Sequence, residues 1–411
     1  MNYELFIAKR IIAAKQYKSS VSSPIIKIAI IAITIGIVIM MIAISTGIGL
    51  QLKIREKLAG FNGHIQITNF DTNNSGITLM PVSKNQDFYP IFSNVEAVNK
   101  VQVFATKAGI IRTETDFEGV IFKGVSNDYD WSFFKEYLVK GSLPNYSTEV
   151  SYEVLISSEI SNRLKINLGD EFNMLFVKDN PSKAPWLRVL KVVGIYNSGF
   201  QEFDENFVIA DIRHIQKMNR WKEDEVGGFE VFINDFDTID ETSQEVYEQT
   251  ASTLNSQSIV EKYPEIFEWI NLFDTNIYVI IVIMVLVAGI NMITALLVLI
   301  LERTQMVGIL KALGSTNMSI RKVFLYNASY LILRGLFWGN LIGLLILFSQ
   351  KYGNFISLDP TTYYVNTVPI YIDFGYILLL NIGTLILCFL MLIIPSVIVS
   401  KISPVKSIKF E

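Results

Sequence analysis

Four long, predominantly apolar runs divide this chain: Ile28–Ile48, Ile277–Leu301, Val323–Phe348 and Tyr376–Val399. Each is longer than the roughly 20 residues a helix needs to cross a hydrocarbon core. Arg334 is the one charged side chain among them. The runs predict four transmembrane helices. A signal peptide fits the first run poorly, because its apolar core exceeds the roughly 7–15 residues such a signal uses and its basic flank is long. Between the first and second runs the pattern changes to short alternating segments. His64–Thr68, Glu118–Val125, Val154–Ile156, Glu171–Val177, Leu187–Tyr196, Asn206–Ala210 and Phe229–Asn234 read as strands, rich in β-branched and aromatic residues. Ser157–Leu164 reads as a short helix with a turn at Asn167–Asp170, and Ile239–Leu254 as an exposed helix.

The expected fold is therefore an α-helical membrane protein with four transmembrane helices and a large α+β extracytoplasmic domain between helices 1 and 2. In order, the expected segments are an amphipathic N-terminal segment (1–24), the first span (25–48), the outer domain (49–274) and the second span (275–301). A loop (302–322), the third span (323–349), a short outer loop (350–373), the fourth span (374–400) and a tail (401–411) follow. Tyr3, Phe6, Ile7, Ile11 and Ala14 recur at helical spacing among basic residues. That pattern fits a helix on the inner membrane face, or equally a plain basic flank. The first helix is expected to run past Ile48 and stop near Ala59–Gly60. The tyrosines of the 350–373 loop, Tyr352, Tyr363, Tyr364 and Tyr371, fit an interfacial aromatic belt.

Charge orients the chain. Residues 1–27, 302–322 and the tail together carry a net +9, whereas 48–274 carries −13. Short basic segments stay in the cytoplasm, so both termini and the 302–322 loop are expected inside and the large domain outside.

Candidate chemistry is sparse. Cys388 is the single cysteine and lies in the last span, and His64 and His214 are far apart in sequence. No metal site, cofactor, catalytic residue or nucleic-acid partner is expected. Gly119–Gly124 is spaced like a phosphate-binding loop, but Val125 stands where its lysine belongs. The chain is not expected to be an enzyme. Arg334 inside a span needs a partner or a polar cavity. It is read either as lining a polar group such as a lipid head or as pairing with a neighbouring helix through Asn291 or Asn340. Gly335, Gly339 and Gly343 share one helix face and permit close approach of another helix.

Several stretches resemble the four-span permeases of the lipoprotein-releasing, FtsX and MacB group of ABC transporters. They are Glu302-Arg303-Thr304 followed by Gly308-Ile-Leu-Lys-Ala-Leu-Gly314, Val154–Asp170, Val192–Gly199 and the tail Lys401–Glu411. The match is nearest to the lipoprotein-releasing branch. The resemblance implies that Glu302, Arg303, Val307, Gly308, Ile309, Leu310, Lys311, Ala312, Leu313 and Gly314 form a coupling helix that docks on a separate ATP-binding subunit. Ile309, Leu310 and Leu313 would form its apolar knob. It also implies a carrier-binding hook in the Lys178–Arg188 loop, with Pro181, Pro185, Trp186 and Arg188 as anchors, although an ordinary hairpin loop fits equally. The expected partners are the ATP-binding subunit, a second permease of the same or a related kind, a periplasmic lipoprotein carrier and a lipoprotein or lipid substrate in the membrane. Acyl chains would lie between the first and second spans of paired subunits, near Gly36, Gly47, Gly49, Ala288 and Gly289. The MacB type carries an N-terminal ATP-binding domain, and the 27 residues before the first span are not expected to hold one. Other readings within the group are an FtsX-like signal relay to a hydrolase and MacB-like efflux of an amphiphile.

Overall fold

The computed structural model describes residues 3–13, 22–70, 76–114, 116–147, 149–178 and 184–398. They divide into two compact units. One comprises residues up to Gln51, Trp269–Ile356 and the chain from Val368 onward; the other comprises Leu52–Glu268 and Ser357–Thr367. Four helices are long and apolar enough to cross a membrane: Pro24–Asn62, Pro264–Glu302, Asn317–Gly353 and Phe374–Ser396.

The first unit is built by shape. Gly335, Gly339 and Gly343 of the third long helix face Ile33, Ile37 and Met41 of the first. A Cβ added at Gly335 or Gly339 would lie 2.7 Å from Ile33 or Ile37. The two rows share a spacing of four residues, so one helix seats three side chains where the other has none. Thr34 completes the seam by donating to the Gly335 carbonyl at 3.2 Å. The glycine face is thus filled from within the chain. The third and fourth helices are joined by a mutual carboxamide pair, Asn340 with Asn381, at 2.6 and 2.9 Å. Each asparagine also donates to the carbonyl four residues earlier, which satisfies its remaining N–H without water.

The second unit holds twelve strands among the described residues. They are β1 (Ile65–Asn69), β2 (Val82–Ser83), β3 (Val98–Arg112), β4 (Phe117–Val125), β5 (Leu138–Gly141) and β6 (Glu153–Ser157), then β7 (Glu171–Phe176), β8 (Trp186–Tyr196), β9 (Phe207–Asp211), β10 (Glu225–Val226), β11 (Gly228–Ile233) and β12 (Leu254–Ser258). The main sheet runs β12-β1-β11-β3-β4-β9-β6-β8-β5, and β7 pairs with both β3 and β8. That double pairing closes β3, β4, β9, β6, β8 and β7 into a ring, which leaves none of the six with two free edges. β4 with β9 and β6 with β8 are parallel, and the other pairings are antiparallel.

Several elements differ from the sequence reading. β3 is fifteen residues long and was not anticipated. Its middle is continuously buried, so apolar and polar positions do not alternate. The helix expected over Ile239–Leu254 ends at Gln249, and Leu254–Ser258 pairs with β1 as a strand. The first long helix runs past Gly60 to Asn62. Gly63, with φ of +73°, ends it, its N–H returning to the Ala59 carbonyl at 2.7 Å. Gly60 serves packing instead, since a Cβ there would meet the Phe133 ring at 2.3 Å.

The end of that helix lies at the centre of the second unit. Phe61 stacks on Phe203 with centroids 4.1 Å apart and meets Phe134 and Phe207 edge-on. The buried Lys123 ammonium donates to the Phe61 carbonyl and pairs with buried Glu230 at 2.6 Å. Gln102 donates to the other Glu230 oxygen at 2.9 Å. Gln66 donates to the Asn62 carbonyl at 3.0 Å and accepts from Lys262 at 2.6 Å. Two carbonyls that a helix C-terminus leaves without partners thus receive an ammonium and an amide.

Candidate functional site

The strongest candidate is the short helix Thr304–Ala312 with its two junctions. Thr304 creates the entry. Its hydroxyl donates to the Ile300 and Leu301 carbonyls at 3.2 and 2.7 Å and caps the helix before it. Gly314 creates the exit. At φ of +91° its N–H reaches the Lys311 carbonyl, and Ser315 N–H reaches that of Leu310. Those two bonds are a Schellman stop, which only a residue comfortable at positive φ completes without strain. Thr316 then caps the third long helix through Ser319 N–H at 3.2 Å. The segment is consequently a defined helix between two sharp corners.

Its faces divide cleanly. Val307 and Gly308 are buried. Met306 and Leu310 pack against the apolar core formed with the first, second and third long helices. Ile309 and Leu313, four residues apart, point outward, and Leu313 is 78% exposed. The sequence grouped Ile309, Leu310 and Leu313 as one knob; Leu310 instead belongs to the seat. Glu302 and Ala312 are exposed, whereas Arg303 and Lys311 are half-buried. An exposed apolar tip on a fixed helix is what a partner's groove reads.

The second candidate is the β7–β8 hairpin. Of its expected anchors, Pro181 lies outside the described residues. Pro185 is exposed, and Trp186 is half-buried with Lys178 4.3 Å and Arg188 5.8 Å from its ring centroid. Trp186 and Arg188 share one strand face. Leu187 and Val189 occupy the other and are about half exposed, as is Val177 beyond β7.

The polar points of the spans resolve differently from expectation. Arg334 places its guanidinium 4.7 Å from the Tyr330 ring centroid. Neither expected carboxamide serves it: Asn340 is paired with Asn381, and Asn291 donates to the Val287 carbonyl. Three of the five small residues named for acyl chains, Gly47, Gly49 and Gly289, lie against neighbours in the same unit, while Gly36 has only an ordinary 3.9 Å contact with the Met284 carbonyl. A Cβ at Gly47 would strike Ile277, one at Gly49 the Pro369 backbone, and one at Gly289 Met391.

The 350–373 loop carries a contact that the sequence did not signal. Its Ser357–Thr367 portion belongs to the second unit. Tyr364 stacks on Phe200 at 4.7 Å instead of serving an interfacial belt, and Asn366 sits against Gly199. Lys57 donates to the Tyr364 carbonyl at 3.0 Å. Burial lowers the Lys57 ammonium to about 8 and raises the nearby Asp204 carboxyl to about 6, although Ser198 and Gly199 donate to Asp204. His64 is half-buried: desolvation lowers it to about 4, and its Nδ1 accepts from Ile233 N–H. Among the described residues no group of three His, Cys, Asp or Glu side chains is placed to hold a metal ion.

Comparison with known proteins adds to this geometry. Residues 28–249 match the MacB-like periplasmic core domain, and residues 278–404 match the FtsX-like permease C-terminal family. A lipoprotein-releasing system transmembrane protein LolC of Neisseria meningitidis is 19% identical across 99% of both chains. A lipoprotein-releasing system transmembrane protein LolE of Haemophilus influenzae is 18% identical across 98% of both. The crystal structure of the MacB periplasmic region from Actinobacillus actinomycetemcomitans is 13% identical, covering 50% of this chain and 94% of that one, with a TM-score of 0.33. With a MacB-like core domain over more than half its length and an FtsX-like C-terminal region after it, this chain belongs to the FtsX/MacB-like superfamily of ABC transporter permeases.

Proposed function

We propose that the chain is the permease subunit of an inner-membrane ABC complex that extracts lipid-anchored proteins and passes them to a periplasmic carrier. ATP is hydrolysed in a separate subunit, which docks on the Thr304–Ala312 helix. Both termini and this helix face the cytoplasm, the strand-rich domain between the first two spans is periplasmic, and a second permease completes the complex. The observation that carries this reading is the division of the short helix into a buried seat and an outward Ile309/Leu313 tip. The curated relatives named for lipoprotein release support the choice of cargo. The β7–β8 hairpin, with exposed Leu187 and Val189 beside a cation-flanked Trp186, is the surface offered to the carrier.

The test is reconstitution of the full chain with its ATP-binding subunit and companion permease in liposomes holding a labelled triacylated protein. ATP-dependent appearance of the label on soluble carrier is expected. Stimulated ATP hydrolysis without any transfer, under conditions where an established extractor works, would overturn the proposal in favour of a signal relay.

A further inference from the structure

The N-terminal helix Tyr3–Ala13 touches the coupling segment at three places. Tyr3 and Ser315 share a hydroxyl–hydroxyl hydrogen bond of 3.1 Å immediately after the Gly314 corner. Ser319 donates to the Glu4 carboxylate at 3.0 Å on the first turn of the third long helix. That bond, after one from the Glu4 backbone, holds the Glu4 carboxyl below its ordinary range. Buried Ala8 and Ile11 then pack on Val323, with Ile7 and Met306 around them. Met306 matters because it also packs against the core of the long helices. The coupling helix is therefore held from two sides, by the spans through Val307 and Leu310 and, through Met306, by the cluster that Ala8 and Ile11 form with Val323. The polar bonds fall at Ser315 and Ser319, directly after the Gly314 corner, where the chain turns and where a push on the helix would otherwise be absorbed by bending.

We infer that the helix Tyr3–Ala13 is a brace that holds the Thr304–Ala312 helix against the third span, so that movement of the ATP-binding subunit is passed on and not lost at the Gly314 corner. The inference rests on reading Thr304–Ala312 as the coupling helix. Tyr3, Glu4, Ala8 and Ile11 are then positioning residues, and neither Ile309 nor Leu313 is touched by their replacement.

The test compares the full chain in complex with Tyr3→Phe/Glu4→Leu and with Ala8→Asp. Glu4→Gln serves as the conservative variant, because its amide oxygen still accepts from Ser319. Two readouts are taken. Hydrogen exchange of the 304–312 amides is expected to speed at least tenfold in the disruptive variants and to stay at the wild-type rate in Glu4→Gln. Lipoprotein released per ATP hydrolysed is expected to fall at least fivefold in the same variants while the ATP-binding subunit remains bound. Unchanged exchange, or faster exchange with unchanged release per ATP, would overturn the brace. A wild-type complex that releases no lipoprotein defeats the proposed function instead. The exchange data and the permease-dependent stimulation of ATP hydrolysis then judge the brace, which fails if both are the same in all variants.

Discussion

The two units remove polar groups from water in opposite ways. In the membrane unit the backbone is satisfied within each helix, and contact depends on shape: three glycines receive Ile33, Ile37 and Met41. In the outer unit a charged pair, Lys123 with Glu230, is fully buried and organises the end of the first long helix. A buried pair gains little over apolar residues of the same size, yet removing one member is severe, because the other charge stays behind. Shape tolerates graded change, whereas a buried charge does not.

The largest effect should come from Lys123→Met. It leaves the Glu230 carboxylate without its cation and the Phe61 carbonyl without its donor. We expect a loss of about 3–5 kcal/mol in the unfolding of the full chain, most of it recovered in Lys123→Met/Glu230→Met. A loss below about 1 kcal/mol in the single variant would place the weight on the surrounding aromatic residues instead.

On the membrane side, Gly339→Leu should cost about 1–3 kcal/mol through its collision with Ile37, and Ile37→Ala should relieve it. If relief fails, the seam is held by something other than this fit. Removing the Thr34 bond to the Gly335 carbonyl by Thr34→Val should cost only about 0.6 kcal/mol, the usual scale for such bonds between spans.

A pH titration sharpens the contrast, since the buried carboxyl and ammonium beside the outer loop both titrate away from their ordinary values. Asp204 is raised in the fold, so its protonated form is favoured there. Its contribution to stability is complete below about pH 4 and is lost as pH rises through about 6. Lys57 is lowered, so its contribution is complete above the ordinary ammonium range and is lost as pH falls through about 8. Thermal unfolding of the full chain should therefore show a decline between about pH 4 and 6 that Asp204→Asn abolishes. A decline that persists in Asp204→Asn would assign it to other groups.

The same contrast explains what was legible in the sequence. The four spans were plain, because a helix in lipid advertises itself by length and apolarity. β6, β7 and β8 were plain because each is a short run of β-branched or aromatic residues. β3 was not, since a central buried strand loses its alternation. For the site, the corner glycine Gly314 and the general position of the helix could be read, but the division of its faces could not. Ile309, Leu310 and Leu313 look alike in sequence, and only packing separates Leu310 from the other two. Met306 carries no sequence signal for its double contact. Lys123 and Glu230 read as solvated charges of two strands and become partners only because β3 alone lies between their strands, β4 and β11, in the sheet order.

The central claim is that an outward Leu313 tip on a firmly seated helix receives the ATP-binding subunit. The most direct measurement is the affinity of that subunit for the full chain in detergent, comparing wild type, Leu313→Asp and an exposed control in the second unit, Phe117→Asp. The account predicts at least a tenfold loss for Leu313→Asp with unchanged thermal unfolding of the chain, and no loss for the control. Equal affinity for all three would contradict it.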